Sequence, residues 1–299
     1  MTTNSGGGAT GGRRAVLIAG PTASGKSALA LRRAADEGAV IVNADAMQVY
    51  DTLSVLTARP PASDLARAEH RLYGTIPVAT RFSTGMWLDA VGQVIASTSC
   101  PVIFVGGTGL YFDALLNGFA DVPSIPQAVV LQVQQEIQQL DSEARLALLR
   151  REDPAAAERL GVADPQRLIR AVAVKRQTGR PLSSFQGEPQ SGLLEGWNVE
   201  RLVLDPDRQV LRERIARRFR RMMEDGAVEE VKALRDFGLD PSLPAMKAIG
   251  VREIGEWLDG LLTREEAVCA ATIATQQYAK RQRTWFRNRF ADWPRLDPL

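Results

Sequence analysis

Eight consecutive residues, Gly20, Pro21, Thr22, Ala23, Ser24, Gly25, Lys26 and Ser27, carry the spacing G-x-x-x-x-G-K-S. Glycines at those positions let successive backbone N–H groups curl around phosphate oxygens. Lys26 adds a mobile positive charge, Ser27 offers a hydroxyl to Mg²⁺, and a helix starting there adds its dipole. The expected chemistry is the grip of a phosphorylated small molecule. A nucleotide such as ATP is the default occupant of such a loop, which would make the chain a nucleotide-binding protein.

The flanking residues fit that reading. Ala15-Val16-Leu17-Ile18-Ala19 is a short unbroken apolar run, predicted to be a buried parallel strand leading into the loop. Ser27 to Glu37 reads as a helix that Gly38 stops. Val40-Ile41-Val42 is a second strand, ending at Asn43-Ala44-Asp45. Met86 to Thr98 reads as a helix, and Val102-Ile103-Phe104-Val105 as a third strand ending in Gly106-Gly107-Thr108-Gly109. Alternation of this kind predicts an α/β fold, a P-loop NTPase-like parallel sheet with helices on both faces. Its ligand crevice lies off the C-terminal strand ends, where the P-loop, Asp45 and Thr108 all fall.

After about Asp121 the pattern changes. Val129 to Leu140, Glu143 to Arg151, Pro154 to Leu160 and Gln166 to Gln177 read as helices with no strand among them. Leu202 to Asp205 reads as one more strand, and from Arg208 the chain is helical with a basic face. The predicted organisation is a core over 13–120 and 196–299, an all-helical insertion domain over 121–195, and a flexible tail over 1–12.

The chain of 299 residues is 45% hydrophobic and 24% charged, with a net charge of +2. Its pI of about 8.7 permits a polyanionic partner without demanding one. Two cysteines without a CxxC pair and a single histidine, His70, argue against a Cys/His metal site and for a reducing cytoplasm. No apolar run approaches the ~20 residues that span a bilayer. Monomer is the default state.

Two enzyme readings compete at this point. A P-loop small-molecule kinase would usually carry an acid at the end of the third strand, which here ends in Gly-Gly-Thr. The acid is Asp45, at the end of the second strand, where it suits a base facing a second substrate.

Several blocks, in order, resemble the tRNA dimethylallyltransferase (tRNA isopentenyltransferase) family: Val42 to Tyr50, Leu56 to Pro60, His70 to Leu72, Gly106 to Tyr111, Asp153 to Ala156, Arg167 to Ala171, Arg214 to Phe219, Met246 to Gly250 and Tyr278 to Phe286. The resemblance implies transfer of a dimethylallyl group from dimethylallyl diphosphate to N6 of adenosine 37 in tRNA, with a P-loop that holds the donor diphosphate rather than ATP. It implies Asp45 as the base, Thr108 as a group orienting the acceptor, and Arg218 as a cation on the leaving group, with Mg²⁺ on Ser27. For the anticodon stem-loop it implies contacts from Asp45, Ala46, Met47 and Gln48, from Thr108, from Gln166, Arg167 and Arg170, from Met246, Lys247, Ala248, Ile249, Gly250 and Val251, and from Lys280 and Arg281. The insertion is expected to be the second jaw of an RNA clamp. Lys280, Arg281, Arg283, Arg287 and Arg289, interleaved with Tyr278, Trp285 and Phe286, are expected to form a phosphate-contacting stretch. His70 is expected to be structural. The chain departs from the family at Val130, where the resemblance implies an arginine, and at Val251, where an aromatic is frequent.

Overall fold

Unbroken apolar runs become the strands at the centre of a six-stranded sheet in this computed structural model. The structure describes residues 12–120, 122–160, 164–186 and 191–297; of the N-terminal tail only Gly12 lies among them. The strands are β1 (Arg14–Ala19), β2 (Val40–Asn43), β3 (His70–Arg71), β4 (Val102–Gly106), β5 (Asn198–Leu204) and β6 (Arg295–Leu296). They lie in the order β3-β2-β4-β1-β5-β6, and every pairing is parallel. β5 begins four residues before the predicted Leu202, because Asn198 to Val203 pairs in register with Arg14 to Ala19.

Alternate side chains of the strands feed two cores. Val16, Ile18, Ile41, Ile103 and Val105 pack under α1 (Lys26–Glu37) through Ala30, Leu31 and Ala34. Leu17, Val42 and Phe104 point the other way, into an aromatic cluster with Trp87, Phe112, Phe286, Phe290 and Trp293.

The remaining helices are α2 (Ala62–Leu65), α3 (Thr84–Ser97), α4 (Gly109–Asn117), α5 (Gln127–Gln138), α6 (Ser142–Glu152), α7 (Pro154–Leu160), α8 (Pro165–Thr178), α9 (Leu182–Gln186), α10 (Arg208–Glu224), α11 (Ala227–Asp236), α12 (Val251–Leu258) and α13 (Arg264–Arg289). Some of their starts are written in cap residues. Ser83, Asp207 and Thr263 each accept a backbone N–H of the first turn, and Thr263 with Glu266 forms a reciprocal capping box.

The chain divides into two units, Met1–Leu116 with Leu193–Leu299, and Asn117–Gly192. The second unit holds α5 to α9 around its own core of Val133, Ile137, Leu149, Leu168, Val172 and Phe185. Inside it the buried Asp153 carboxylate accepts the Ala156 N–H at 3.0 Å, the Ser183 N–H at 2.9 Å and the Ser183 hydroxyl at 2.6 Å.

Candidate active site

The phosphate loop leaves β1 and enters α1 through two left-handed residues, Ala23 at φ 63° and Gly25 at φ 92°. A non-glycine residue held there stores strain of the kind that collects at ligand sites. Gly25 caps α1 with no side chain, and the first turn of α1 carries no acidic residue, so its N–H groups are left to an anion. Lys26 Nζ lies 3.2 Å from the Pro21 carbonyl oxygen, within the loop's own curl. Burial lowers the Lys26 ammonium to about pKa 8; Asp45 opposes the shift and Arg218 adds to it. Both charges are therefore felt at Lys26.

Asp45 sits where β2 ends. Asn43 accepts the Asp45 N–H at 2.8 Å and donates through Nδ2 to the Asp45 and Leu72 carbonyls; the Trp87 indole N–H closes on the Asn43 carbonyl at 2.9 Å. The Asp45 carboxylate accepts the Met47 N–H at 3.0 Å. Thr108, at the end of β4, accepts the Ala46 N–H through Oγ1 at 2.9 Å and donates its own N–H to the Ala44 carbonyl at 3.1 Å. The two strand ends are thus stitched together. The stitch needs Gly106, because a Cβ there would lie 2.0 Å from the Ala44 carbonyl oxygen.

Helix α10 brings Arg218 to the same place, with Nη1 3.5 Å from Thr22 Oγ1. Burial pulls the guanidinium below its ordinary value and Asp45 opposes it, yet an arginine stays charged.

Helix α13 lays Thr275, Tyr278 and Gln282 along the site at three- and four-residue spacing. Tyr278 lines the cavity. Burial raises its phenol, Asp45 adds to the rise, and hydrogen bonding to Gln282 and Thr108 opposes it, so the hydroxyl is neutral. Gln282 is 5% exposed. It accepts the Thr22 N–H at 2.9 Å and donates to the Gly107 carbonyl at 2.9 Å. Neither Tyr278 nor Gln282 was assigned a role from sequence. The available signal was a polar Gln282 between the buried Ala279 and Phe286 on the apolar face of a long helix.

One cavity of about 300 Å³ gathers these parts. Thr22, Asp45, Arg218, Lys247, Tyr278 and Arg281 form its polar wall; Leu56, Ile215, Phe219, Met222, Ala248 and Ile249 form its apolar wall. The structure therefore brings the P-loop, Asp45 and Arg218 together with Met47, Lys247, Ala248, Ile249 and Arg281, and Thr108 touches the same turn. Other residues named from sequence lie elsewhere. Gln48 spends its amide on the Thr57 and Ala58 carbonyls. Gly250 and Val251 are buried, and Met246 is half-buried. Gln166, Arg167 and Arg170 are exposed on α8 of the second unit, with Arg167 paired to Asp164 at 3.1 Å. Of the basic stretch, Lys280, Arg281, Arg287 and Arg289 are exposed. Arg283 instead pairs with Asp205 at 2.7 Å, and Arg289 holds Asp113 through two bonds of 3.0 Å. Those two arginines brace α13 against the sheet and α4. His70 contacts the Ala68 carbonyl through Nδ1 at 2.9 Å and packs edge-on against Tyr73.

The chain matches known proteins along nearly its whole length. The IPP transferase family model matches residues 48–289, and the isopentenyl transferase model residues 13–77. A tRNA dimethylallyltransferase of Methylobacterium sp. (strain 4-46) is 51% identical over 95% of this chain and 94% of the relative. One from Chelativorans sp. (strain BNC1) is 49% identical over 94% and 98%. Among solved structures, the full-length tRNA isopentenylpyrophosphate transferase of Bacillus halodurans superposes with a TM-score of 0.66 at 29% identity, covering 95% of this chain and 89% of that one. A eukaryotic dimethylallyltransferase acting on tRNA reaches a TM-score of 0.77 at 24% identity, over 92% of this chain and 70% of that one, a likeness of fold. The chain belongs to the IPP transferase family, the family of the tRNA dimethylallyltransferases.

Proposed function

We propose that the protein transfers the dimethylallyl group of dimethylallyl diphosphate to the exocyclic N6 of adenosine 37, beside the anticodon of tRNA, and releases diphosphate. The observation that carries this reading is the sharing of one cavity by a carboxylate, Asp45, and a phosphate grip that includes Thr22 and Arg218.

The adenine amine is a poor nucleophile because its lone pair is delocalised into the ring. Asp45 accepts the N6 proton as the N6–C1 bond forms, a contribution of about 10²–10⁴-fold. The C1–O bond breaks with its electron pair passing to the diphosphate oxygen. Lys26, the loop N–H groups and Arg218 stabilise that charge inside a partly dry site. Thr108, fixed by the Ala46 N–H, orients the acceptor.

Mg²⁺ fits this loop. Ser27 is exposed in the first turn of α1, beside Lys26. A magnesium ion there would be held by this hydroxyl with the diphosphate and water, as Mg²⁺ sites built on substrate phosphates commonly are, so no protein cage would be required. When bound, it neutralises charge on the leaving group.

For the RNA, the reading assigns the turn from Asp45 to Met47, the cavity rim from Lys247 to Ile249, Lys280 and Arg281 on α13, and Gln166, Arg167 and Arg170 on α8. Extruding the base costs a few kcal/mol, recovered in the pocket. We place the activity in the cytoplasm and take the active form to be a monomer; among the described residues no helix is long and apolar enough to cross a membrane.

Incubation with dimethylallyl diphosphate, Mg²⁺ and unmodified tRNA, followed by mass spectrometry of the nucleosides, tests the reading. Isopentenyl adenosine is the expected product. Its absence together with robust ATP turnover would favour a small-molecule kinase.

A further inference from the structure

We infer that the apolar end of the cavity is a chain-length stop, set by Met222, that admits a five-carbon allylic donor and turns away a ten-carbon one. The inference rests on the prenyl-transfer reading and names the donor class the site selects.

The cavity has a direction, and α10 supplies its scale. Ile215, Arg218, Phe219 and Met222 line it at spacings of three and four residues, one face of a helix over two turns. At one end Ile215 packs with Leu211 and Ala279 against Ala23 of the phosphate loop, and Arg218 faces Thr22. That end takes the diphosphate. At the other end Phe219 and Met222 join Leu56, Ala248 and, at the edge, Met47 and Ile249 in a second apolar cluster. Met222 lies four residues beyond Arg218, about 6 Å along the helix. One isoprene unit is close to one helical turn in length, so a five-carbon chain leaving the Arg218 region ends at Met222. A second unit would need another turn of space.

The end wall is stiff except at one place. A Cβ on Gly250 would lie 2.6 Å from Leu56 Cδ2 and 3.3 Å from Phe219 Cε2, so backbone stands directly behind both side chains. Leu56 is 9% and Phe219 4% exposed. Neither has room to retreat. Met222, 8% exposed, is an unbranched thioether, the adaptable piece of the wall. Shortening it removes three heavy atoms from the end that a longer chain must enter. The bonds exchanged stay the same for either donor: C1–O breaks toward diphosphate, N6–C1 forms, and the N6 proton leaves to Asp45.

The test is competition between dimethylallyl and geranyl diphosphate at equal concentration with unmodified tRNA and Mg²⁺, products resolved by nucleoside mass spectrometry. The wild type is expected to yield the five-carbon adenosine and to discriminate strongly against the ten-carbon one. Met222→Ala should raise the ten-to-five product ratio at least about tenfold, since a single methylene in an apolar pocket is worth about 10–200-fold. Leu56→Ala, at the same end, gives a second reading if Met222→Ala fails to fold. An unchanged ratio in a folded shortened variant that still transfers the five-carbon group overturns the stop. A wild type that transfers nothing from the five-carbon donor overturns the prenyl-transfer reading beneath it, and the stop with it.

Discussion

Gln282 accepts the N–H of Thr22 at 2.9 Å, a bond between residues 260 positions apart. The same amide donates to the Gly107 carbonyl, one residue before Thr108. A single buried side chain on α13 therefore ties the phosphate loop to the strand end that carries Thr108. Gln282→Leu leaves the Gly107 carbonyl buried without its donor, at a cost of about 1–3 kcal/mol in stability. In the same variant we expect the donor KM to rise and the transfer rate to fall together. Denaturant unfolding and steady-state kinetics in both substrates check this. A loss of stability with unaltered kinetics would reduce Gln282 to a packing residue.

Much of this site was legible from sequence, for a physical reason. The P-loop, Asp45 and Thr108 each lie within three residues of the end of an apolar run, so local pattern predicts both the strand and the crevice position of the residues after it. Edge strands β3 and β6 were not legible. Each has two residues, and only pairing with β2 and β5 makes them strands. Gln282 and Tyr278 were missed as site residues because their partners lie far away in sequence. Arg283 and Arg289 read as free cations because Asp205 and Asp113, which hold them, are likewise distant.

That last distinction separates two kinds of arginine. Charge reversal at Lys280 and Arg281 should weaken tRNA binding and flatten its dependence on salt, since each phosphate contact contributes close to one unit of slope. Arg283→Ala should instead lower stability, by about 1 kcal/mol, because it leaves the half-buried Asp205 to its longer 3.6 Å pairing with Arg295. Filter binding across a salt series, beside thermal unfolding, distinguishes them. Equal salt slopes before and after reversal at Lys280 and Arg281 would remove α13 from the RNA surface.

Two glycines, Gly106 at the end of β4 and Gly38 at the C-cap of α1, give a graded test of the fold. Gly106→Ala sets a methyl 2.0 Å from the Ala44 carbonyl oxygen, a backbone atom that cannot swing aside. We expect a loss of about 3 kcal/mol or more. Gly38→Ala, at φ 63° with open space around it, should cost only about 1–2 kcal/mol from its left-handed backbone. Urea denaturation of the pair measures the difference, and similar losses would contradict the stitch between β2 and β4.

Lys26 predicts a pH dependence. Its ammonium titrates near 8 in the free protein, below the ordinary 10.5, because it is buried. A bound diphosphate favours the charged form and lifts that value, so donor binding takes up a proton. Donor affinity should fall as the pH climbs through about 8, by up to about tenfold per pH unit. Without donor the unfolded chain holds this proton between about 8 and 10.5 while the folded chain has released it, so Lys26 makes stability rise with pH across that window. Lys26→Arg stays charged throughout and should lose the inflection in donor KM. An identical pH profile in that variant would place the titration elsewhere.

The role of Asp45 is separable from binding. Asp45→Asn keeps the size of the side chain and removes the base. Its single-turnover rate should drop about 10²–10⁴-fold while tRNA affinity stays near that of the wild type. A loss confined to affinity would contradict the assignment.

Rapid-quench analysis of one turnover tests the central claim most directly. Enzyme saturated with labelled dimethylallyl diphosphate and Mg²⁺ is mixed with unmodified tRNA, and both products are followed over time. The account predicts that isopentenyl adenosine and diphosphate appear together, one for one, at the same rate. Diphosphate released without modified adenosine, or a modified nucleoside whose yield does not track it, would contradict a P-loop that holds the leaving group of this transfer.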